Sequence, residues 1–396
     1  MKKVLVVGAG FLQRFVIKKA KELGYYTLAV DGNPNAEGFA DADEYGVVNI
    51  VNQEAVCAFA KKHNVDGVLT AATDYGVLAA SYTARELGLP GIRYESAQRI
   101  KNKYEVRKRL YEAGADDTGL AHEVSQNTDL TVLAEQVQYP VMVKPCDGSG
   151  SRGAAKVESA ADFAVACKEA MDCSLTRKAT VEPFINGREY GVESYVCHGE
   201  IHVLAVMQKW MTQPPYYAEL GHAIPSGLSA AMEEKVIGCV TKALQALEVN
   251  HGSVNMDLLI TEEGGVHIID VGARMGGNLI GSHIIPLGKG VDYMGNMIRG
   301  AVGDPVDFTP KTQPVAVATR LLALTPGVIR EVPDMAQFEA EDAIVQHHLA
   351  VGDTINEYHT NLDGCGYVVC AGKTVDKAAE KAEMLKNKID GAIVRA

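Results

Sequence analysis

The sequence has little that would draw it to nucleic acid or to a lipid surface. Its 396 residues hold 38 lysines and arginines against 50 aspartates and glutamates, a net charge of −12. Such a surface repels polyanions, so neither nucleic acid nor an anionic membrane is expected as a partner. No apolar run approaches the ~20 residues that span a bilayer. The opening stretch MKKVLVVGAG is too short an apolar run for a secretory leader, being broken by glycines and then by Gln13 and Arg14. The eight cysteines are scattered without a CxxC pair and read as reduced thiols of a cytoplasmic protein. There is no HExxH, and no serine–histidine–aspartate or cysteine–histidine set can be nominated. A phosphate-binding P-loop is also missing. From Gly148 the spacing G-x-x-x-x-G is met at Gly153, but Ala154 stands where that motif needs its lysine.

What is present begins with alternation. VLVVGAG (Val4–Gly10), TLAVD (Thr27–Asp31) and Val65–Thr70 read as buried strands. Phe15–Leu23 reads as a helix capped at Gly24. Strands alternating with helices imply a doubly wound parallel sheet, an α/β fold, over the first hundred residues. From Lys101 the pattern turns to α+β. A charged helix is expected over Lys101–Ala113, then Ala134–Val143, a Gly-rich loop and a helix at Ala160–Met171. Hairpins follow, Arg188–Val196 with Ile201–Gln208 and Val254–Thr261 with Val266–Gly272. The last stretch, from about Pro314, holds short strands and a final helix, Val375–Lys388.

Four stretches hold chemistry. In GAGFLQ, Gly8 and Gly10 match two glycines of the dinucleotide fingerprint and Asp31 ends the next strand, but Gln13 replaces the third glycine. In VMVKPCDGSGSRGAAKV, Lys144 ends a strand before a glycine loop whose backbone N–H groups form an anion nest. In VEPFINGRE, a strand runs into an extended linker whose backbone can read a planar base, with Glu182 and Glu189 beside it. The fourth is the hairpin VNMDLLITEEGGVHIIDVGAR. With the loop Glu262–Gly265, Thr261 pairs with Val266 and Asp257 faces Asp270. Opposed carboxylates sit ~5 Å apart at Cβ and destabilise the pair unless something compensates. A divalent cation with oxygen ligands would do so. Arg274, four residues on, lies on the same face and can hold an anion. His222 in ELGHAIP reads as a loop histidine between polar residues.

In this order the motifs resemble the ATP-grasp superfamily, in the branch of biotin carboxylase, the carbamoyl phosphate synthetase large subunit, the purine ligases and the L-amino acid ligases. VVGAGFLQ, LAVDGNPNA and TAATDYGV look like the domain that precedes ATP-grasp. NKYEVRKRLYEAG contains Lys103, and VMVKP contains Lys144, the two lysines on ATP. DGSGSRGAAKV is the phosphate loop, with Ser149, Gly150, Ser151 and Gly153. VEPFINGRE supplies Glu182 for the adenine amino group, the Ile185 backbone for the ring edge and Glu189 for the ribose. MDLL and IIDVGARMGG supply the metal ligands Asp257 and Asp270 and the substrate-side Arg274. Two departures stand out. Asp270 replaces the usual glutamate, and Gly272 the usual asparagine. IIDVGARMGG and GHAIPSGL look more like the amino acid ligases.

The resemblance implies a pre-ATP-grasp domain over 1–100, an ATP-grasp domain over 101–310 with a lid at about 110–180, and a small α+β C-terminal domain over 311–396. It implies an ADP-forming carboxylate–amine ligase using ATP and Mg²⁺, with Mn²⁺ as an alternative ion, through an acyl phosphate. Its partners would be a small-molecule carboxylate and an amine, and the chain a homodimer. Arg274 and His222 are the catalytic candidates, and Asp74 with Arg274 the substrate contacts. The loop Trp210–Ile224 would shape the pocket. A nucleotide-binding protein without ligase activity, suggested by Gly272, and a nicotinamide-dependent oxidoreductase, resting on Gly8, Gly10 and Asp31, are the rival readings.

Overall fold

The computed structural model describes residues 1–148, 152–214 and 216–396. The chain opens with the expected parallel sheet. Strands β1 (Lys3–Val7), β2 (Tyr26–Asp31), β3 (Glu44–Val47) and β4 (Gly67–Leu69) lie in the order β3-β2-β1-β4. Both faces of β1 are apolar because both are covered. Val4 and Val6 pack toward α1 (Gln13–Glu22), while Leu5 and Val7 pack toward α2 (Gln53–His63) and α3 (Val77–Leu87). Gly24, at φ +82°, turns the chain out of α1, a conformation a side chain would resist.

One expectation shifts next. The helix expected over Lys101–Ala113 is α5 (Lys103–Glu112), which starts two residues later than expected because a separate helix, α4 (Tyr94–Ile100), precedes it. Asn102 stands between them, and its side chain accepts from the N–H groups of Tyr104 and Glu105. Asparagine is better suited to a cap than to a helix interior. The break puts Lys103 in the first turn of α5. There its N–H donates to the Cys146 carbonyl at 2.7 Å.

A small antiparallel sheet follows, ordered β5-β8-β6-β7: β5 (His122–Val124), β6 (Val141–Pro145), β7 (Ala155–Val157) and β8 (Ala179–Pro183). Helices α6 (Leu130–Gln136) and α7 (Ala160–Cys173) back it around Phe163, Val143 and Val181. The stretch Ala134–Val143 thus runs from the end of α6 into the start of β6.

The largest sheet has eight strands. It contains β9 (Arg188–Cys197), β10 (Glu200–Met211), β11 (Glu219–Ile224), β12 (Gly252–Ile260), β13 (Val266–Gly272) and β14 (Ala316–Leu321). Beyond β15 (Gly327–Glu331) it adds β16 (Ala343–His347) and, after β17 (Thr354–Ile355), β18 (Gly366–Gly372). The order is β13-β12-β9-β10-β11-β14-β18-β16. One face packs on α8 (Ala230–Ala246) through Val192, Val254, Met256 and Leu258. Successive residues of a strand point to opposite faces. Gly191, Glu193, Asn255 and Asp257 therefore face away from α8, toward the N-terminal sheet. The other covering helices are α9 (Ile285–Lys289) and α10 (Tyr293–Ala301), and α11 (Val375–Ala392) lies over β14 and β18. A last short strand, β19 (Val394–Arg395), joins β15 and β17. No helix among the described residues is long and apolar enough to cross a membrane.

Candidate active site

The aspartate hairpin forms, but not with the register expected at its tip. Ile260, not Thr261, pairs with Val266, so the loop is one residue longer. The register then shifts between Leu258 and Asp257, where Ile269 bulges from β13. The two offsets cancel, and Asp257 does face Asp270. A bulge takes one residue out of the ladder. The Ile269 carbonyl so released accepts from Lys144 Nζ at 3.2 Å.

Each aspartate is compensated by a lysine from a different element. Lys103, at the start of α5, ion-pairs with Asp270. Burial alone would lower the Lys103 ammonium, but the charge of Asp270 and its hydrogen bond raise it overall. Asp257 Oδ1 accepts from Lys209 Nζ of β10 at 2.9 Å. Lys209 also holds Glu189 at 2.7 Å and Glu219 at 2.6 Å, with a side chain only 1 % exposed. Three carboxylates thus share one ammonium. Glu219 stays low, at about 2, because Lys209 outweighs its burial. Asp257 is pushed up to about 7 by burial, assisted by Glu219 and Glu189. That corner is short of positive charge.

Lys144 reaches Glu182 at 3.1 Å, diagonally across the β6–β8 ladder, where Met142 faces Glu182 and Lys144 faces Thr180. Arg274 Nε lies 3.0 Å from Asp74 Oδ1 and is buried, tying the loop after β4 to the end of β13. The backbone repeats the link, with Ala72 N donating to Met275 O at 3.0 Å. Gly272 has a local reason to be glycine. A Cβ there would stand 3.0 Å from the Arg274 guanidinium carbon, so the cation fills the space of the usual side chain. Asp74, Lys101, Lys103, Gly148, Asp270 and Gly272 line one cleft of about 340 Å³.

The other candidate residues scatter around it. Ser149, Gly150 and Ser151 lie outside the described residues. Gly153 has φ +72°, and a Cβ there would stand 2.8 Å from Cys173 Cβ. Ile185 lies in the linker between β8 and β9, where Phe184 N donates to Pro140 O at 3.1 Å. Glu189 is on Lys209. His222 is not in a loop. It sits in β11, 1 % exposed, with its pKa pushed down to about 4 by burial. Its neighbours Gly221 and Ala223 are not polar, and the strand Glu219–Ile224 turns His222 inward. The segment Trp210–Ile224, expected as a loop, is strand at both ends, through Met211 and again from Glu219.

Sequence reasoning missed Lys209, Glu219, Lys101 and Glu193. Lys209 is set against Glu189, one step past the pair Gln208–Tyr190, only by the bulge between Val203 and Ala205; counted from the His198–Gly199 turn without it, Lys209 would face Arg188. Glu193 is fully buried and accepts from Asn255 Nδ2 at 2.8 Å, Gly276 N at 2.8 Å and Tyr293 OH at 2.7 Å. Burial pushes it up to about 7. Its partners come from three later segments, which a strand pattern cannot reveal.

The glycine turn of β1 is already filled. The Asp31 carboxylate accepts from Ala9 N and Asn33 N, both at 2.8 Å. The buried Gln13 side chain donates to Ala71 O at 2.6 Å across the switch between β1 and β4. A dinucleotide would need that crevice and that carboxylate.

Residues 137–282 match the ATP-grasp domain, and residues 320–393 match the L-amino acid ligase C-terminal domain 2. The chain is 23% identical to the formate-dependent phosphoribosylglycinamide formyltransferase of Bacteroides fragilis, over 98% of this chain and 100% of that one. It superposes on the L-amino acid ligase of Bacillus licheniformis with TM-score 0.84 at 20% identity, covering 100% of this chain and 99% of that one. On the phosphoribosylglycinamide synthetase of Anaerococcus prevotii the TM-score is 0.79 at 24% identity, covering 100% of both. The class is that of ATP-dependent carboxylate–amine ligases. The chain thus carries an ATP-grasp domain over residues 137–282, of a family that uses ATP and Mg²⁺.

Proposed function

We propose that this ligase joins an amino acid, as the carboxylate, to an amine, and that the residues above divide the work as follows. The observation that carries the reading is the meeting of Lys103 with Asp270, beside Lys144 and opposite Asp257, at the edge of one cleft. Lys103 and Lys144 bind ATP phosphates, exchanging their present carboxylate partners for phosphate oxygens. Glu182 and the Ile185 backbone hold the adenine and Glu189 the ribose. Ser149, Gly150, Ser151 and Gly153 are the candidates for binding the phosphates.

The donor set fits Mg²⁺. Asp257 and Asp270 offer hard oxygens, and the corner around Asp257 has three carboxylates to one ammonium. These two aspartates would hold the ion, with Mn²⁺ as a substitute. Bound there, the ion neutralises charge on the phosphates being transferred. Arg274 orients the substrate carboxylate, with Asp74 holding the guanidinium. The carboxylate attacks the γ-phosphorus and ADP leaves. The amine then attacks the acyl carbon, phosphate departs with the C–O bond electrons, and the amine gives up its proton. No side-chain nucleophile is needed, because positioning and charge neutralisation supply the catalysis. An acyl phosphate reacts with water, so the small sheet β5–β8 with its helices acts as a lid. His222, neutral and buried against Glu219, shapes the wall under Gly191.

The division into 1–100, 101–310 and 311–396 belongs to this reading, as does assembly into a homodimer. The cytoplasm, which supplies ATP and Mg²⁺, suits the reaction. The L-amino acid ligase C-terminal domain match supports an amino acid substrate. The test is phosphate release from ATP and Mg²⁺, screened against the twenty amino acids singly and in pairs. Release with particular amino acids, lost in Lys144→Ala and Asp270→Ala, is the expected result. Binding of ATP without release from any mixture would overturn the amino acid assignment and move the screen to bicarbonate and formate.

A further inference from the structure

Far from the nucleotide cleft, three metal-type ligands meet. Gly191 opposes Asp257, and Cys197 lies six residues further along β9, about 20 Å away at ~3.3 Å per residue. There the ligand atoms of Cys197, His198 and His251 lie within 4.8 Å of one another. We propose that these three side chains bind a borderline-soft divalent cation, Zn²⁺ by ligand type, at a site separate from the catalytic metal.

Three features favour a built site. First, His198 and Gly199 form the two-residue turn between β9 and β10, at φ +49° and +86°. Such turns take asparagine–glycine by preference, and a histidine there is held in a conformation that costs it energy. Second, the turn is pinned to the strand that brings His251. Gly199 N donates to Asn250 O at 2.9 Å. Third, His251 is set up as a ligand. Its Nε2 lies 3.2 Å from the Gly300 carbonyl. The Tyr195 hydroxyl lies 3.3 Å from the same Nε2; a carbonyl only accepts and a hydroxyl does either, so a proton on Nε2 satisfies both contacts and leaves the lone pair on Nδ1. Ligand histidines are characteristically fixed by such a bond from the other ring nitrogen. His251 is buried and Cys197 half-buried, while His198 is exposed, so one side of the site stays open for entry and for a fourth ligand. Thiolate and imidazole select zinc-like ions over Mg²⁺. Bound there, the ion would clamp the β9–β10 turn to the start of β12 and, through His251, to α10.

The test titrates the full chain with Co²⁺ after chelator treatment, under a phosphine reductant. A thiolate ligand gives Co²⁺ a charge-transfer absorption in the near ultraviolet, which the oxygen ligands Asp257 and Asp270 cannot give. The expected result is a band that saturates at one equivalent, is displaced by Zn²⁺, and is absent from Cys197→Ser and from His198→Asn. The second variant suits the turn and keeps the fold. It also leaves phosphate release unchanged, which separates this site from the ligase reading. No band, or a band that survives either substitution, overturns the assignment.

Discussion

The two lysine–aspartate pairs of the hairpin are chemically alike and physically different. Asp270 is 45 % exposed and ion-pairs with Lys103, whose side chain is 17 % exposed. Asp257 meets a lysine that is 1 % exposed and already holds two glutamates. The first pair opens on the cleft, where an incoming phosphate can take the lysine. The second is part of the sheet itself, so the same residue types serve the fold as well as the ligand. A ligand side can be changed without unfolding the chain, and a framework side cannot.

The largest expected effect is on the framework side. Lys209→Met leaves three carboxylates without their ammonium and should cost about 3–5 kcal/mol in a urea melt. A cost like that of a surface pair would erase the distinction. On the ligand side, Lys144→Ala should slow substrate-dependent phosphate release about 10²–10³-fold while moving the melt little, as expected for one lost transition-state contact.

The pH dependence sharpens the contrast further. Asp257 and Glu193 are each raised to about 7 in the fold, from ordinary values of 3.8 and 4.5. Between those limits the folded chain binds more protons than the unfolded one, so their contribution to stability falls as pH rises from about 4 to about 7. Denaturant melts across that range check the sign. Metal needs the ionised carboxylate, so Mg²⁺ should bind more tightly as pH rises through about 7 and should release a proton, measurable by titration calorimetry in two buffers. The smallest effect is expected at Asn102→Ala. Loss of the α5 cap costs about 1 kcal/mol and loosens the seat of Lys103, raising the KM for ATP more than it lowers kcat.

Legibility followed the range of each interaction. The parallel sheet, the hairpins and the facing aspartates are local patterns of period and turn, and they were readable. Asp257 opposite Asp270 was reached through two errors that cancelled, a longer loop and an unforeseen bulge at Ile269. Helix α5 was readable to within two residues, its start being set by the cap at Asn102. Lys209 and Glu193 stayed hidden because their partners lie far away in sequence. His222 was misplaced because the six-residue strand Glu219–Ile224 is too short and too glycine-broken for its period to be read.

The most direct test of the account is the fate of the substrate's carboxylate oxygen. The amino acid identified by the release screen, carrying heavy oxygen in its carboxylate, is turned over with unlabelled ATP and Mg²⁺, and the released phosphate is analysed by mass spectrometry. The account predicts one heavy oxygen in each phosphate, left there when the acyl phosphate is cleaved by the amine. Unlabelled phosphate would mean that water, not the carboxylate, attacks ATP, and would contradict ligation through an acyl phosphate.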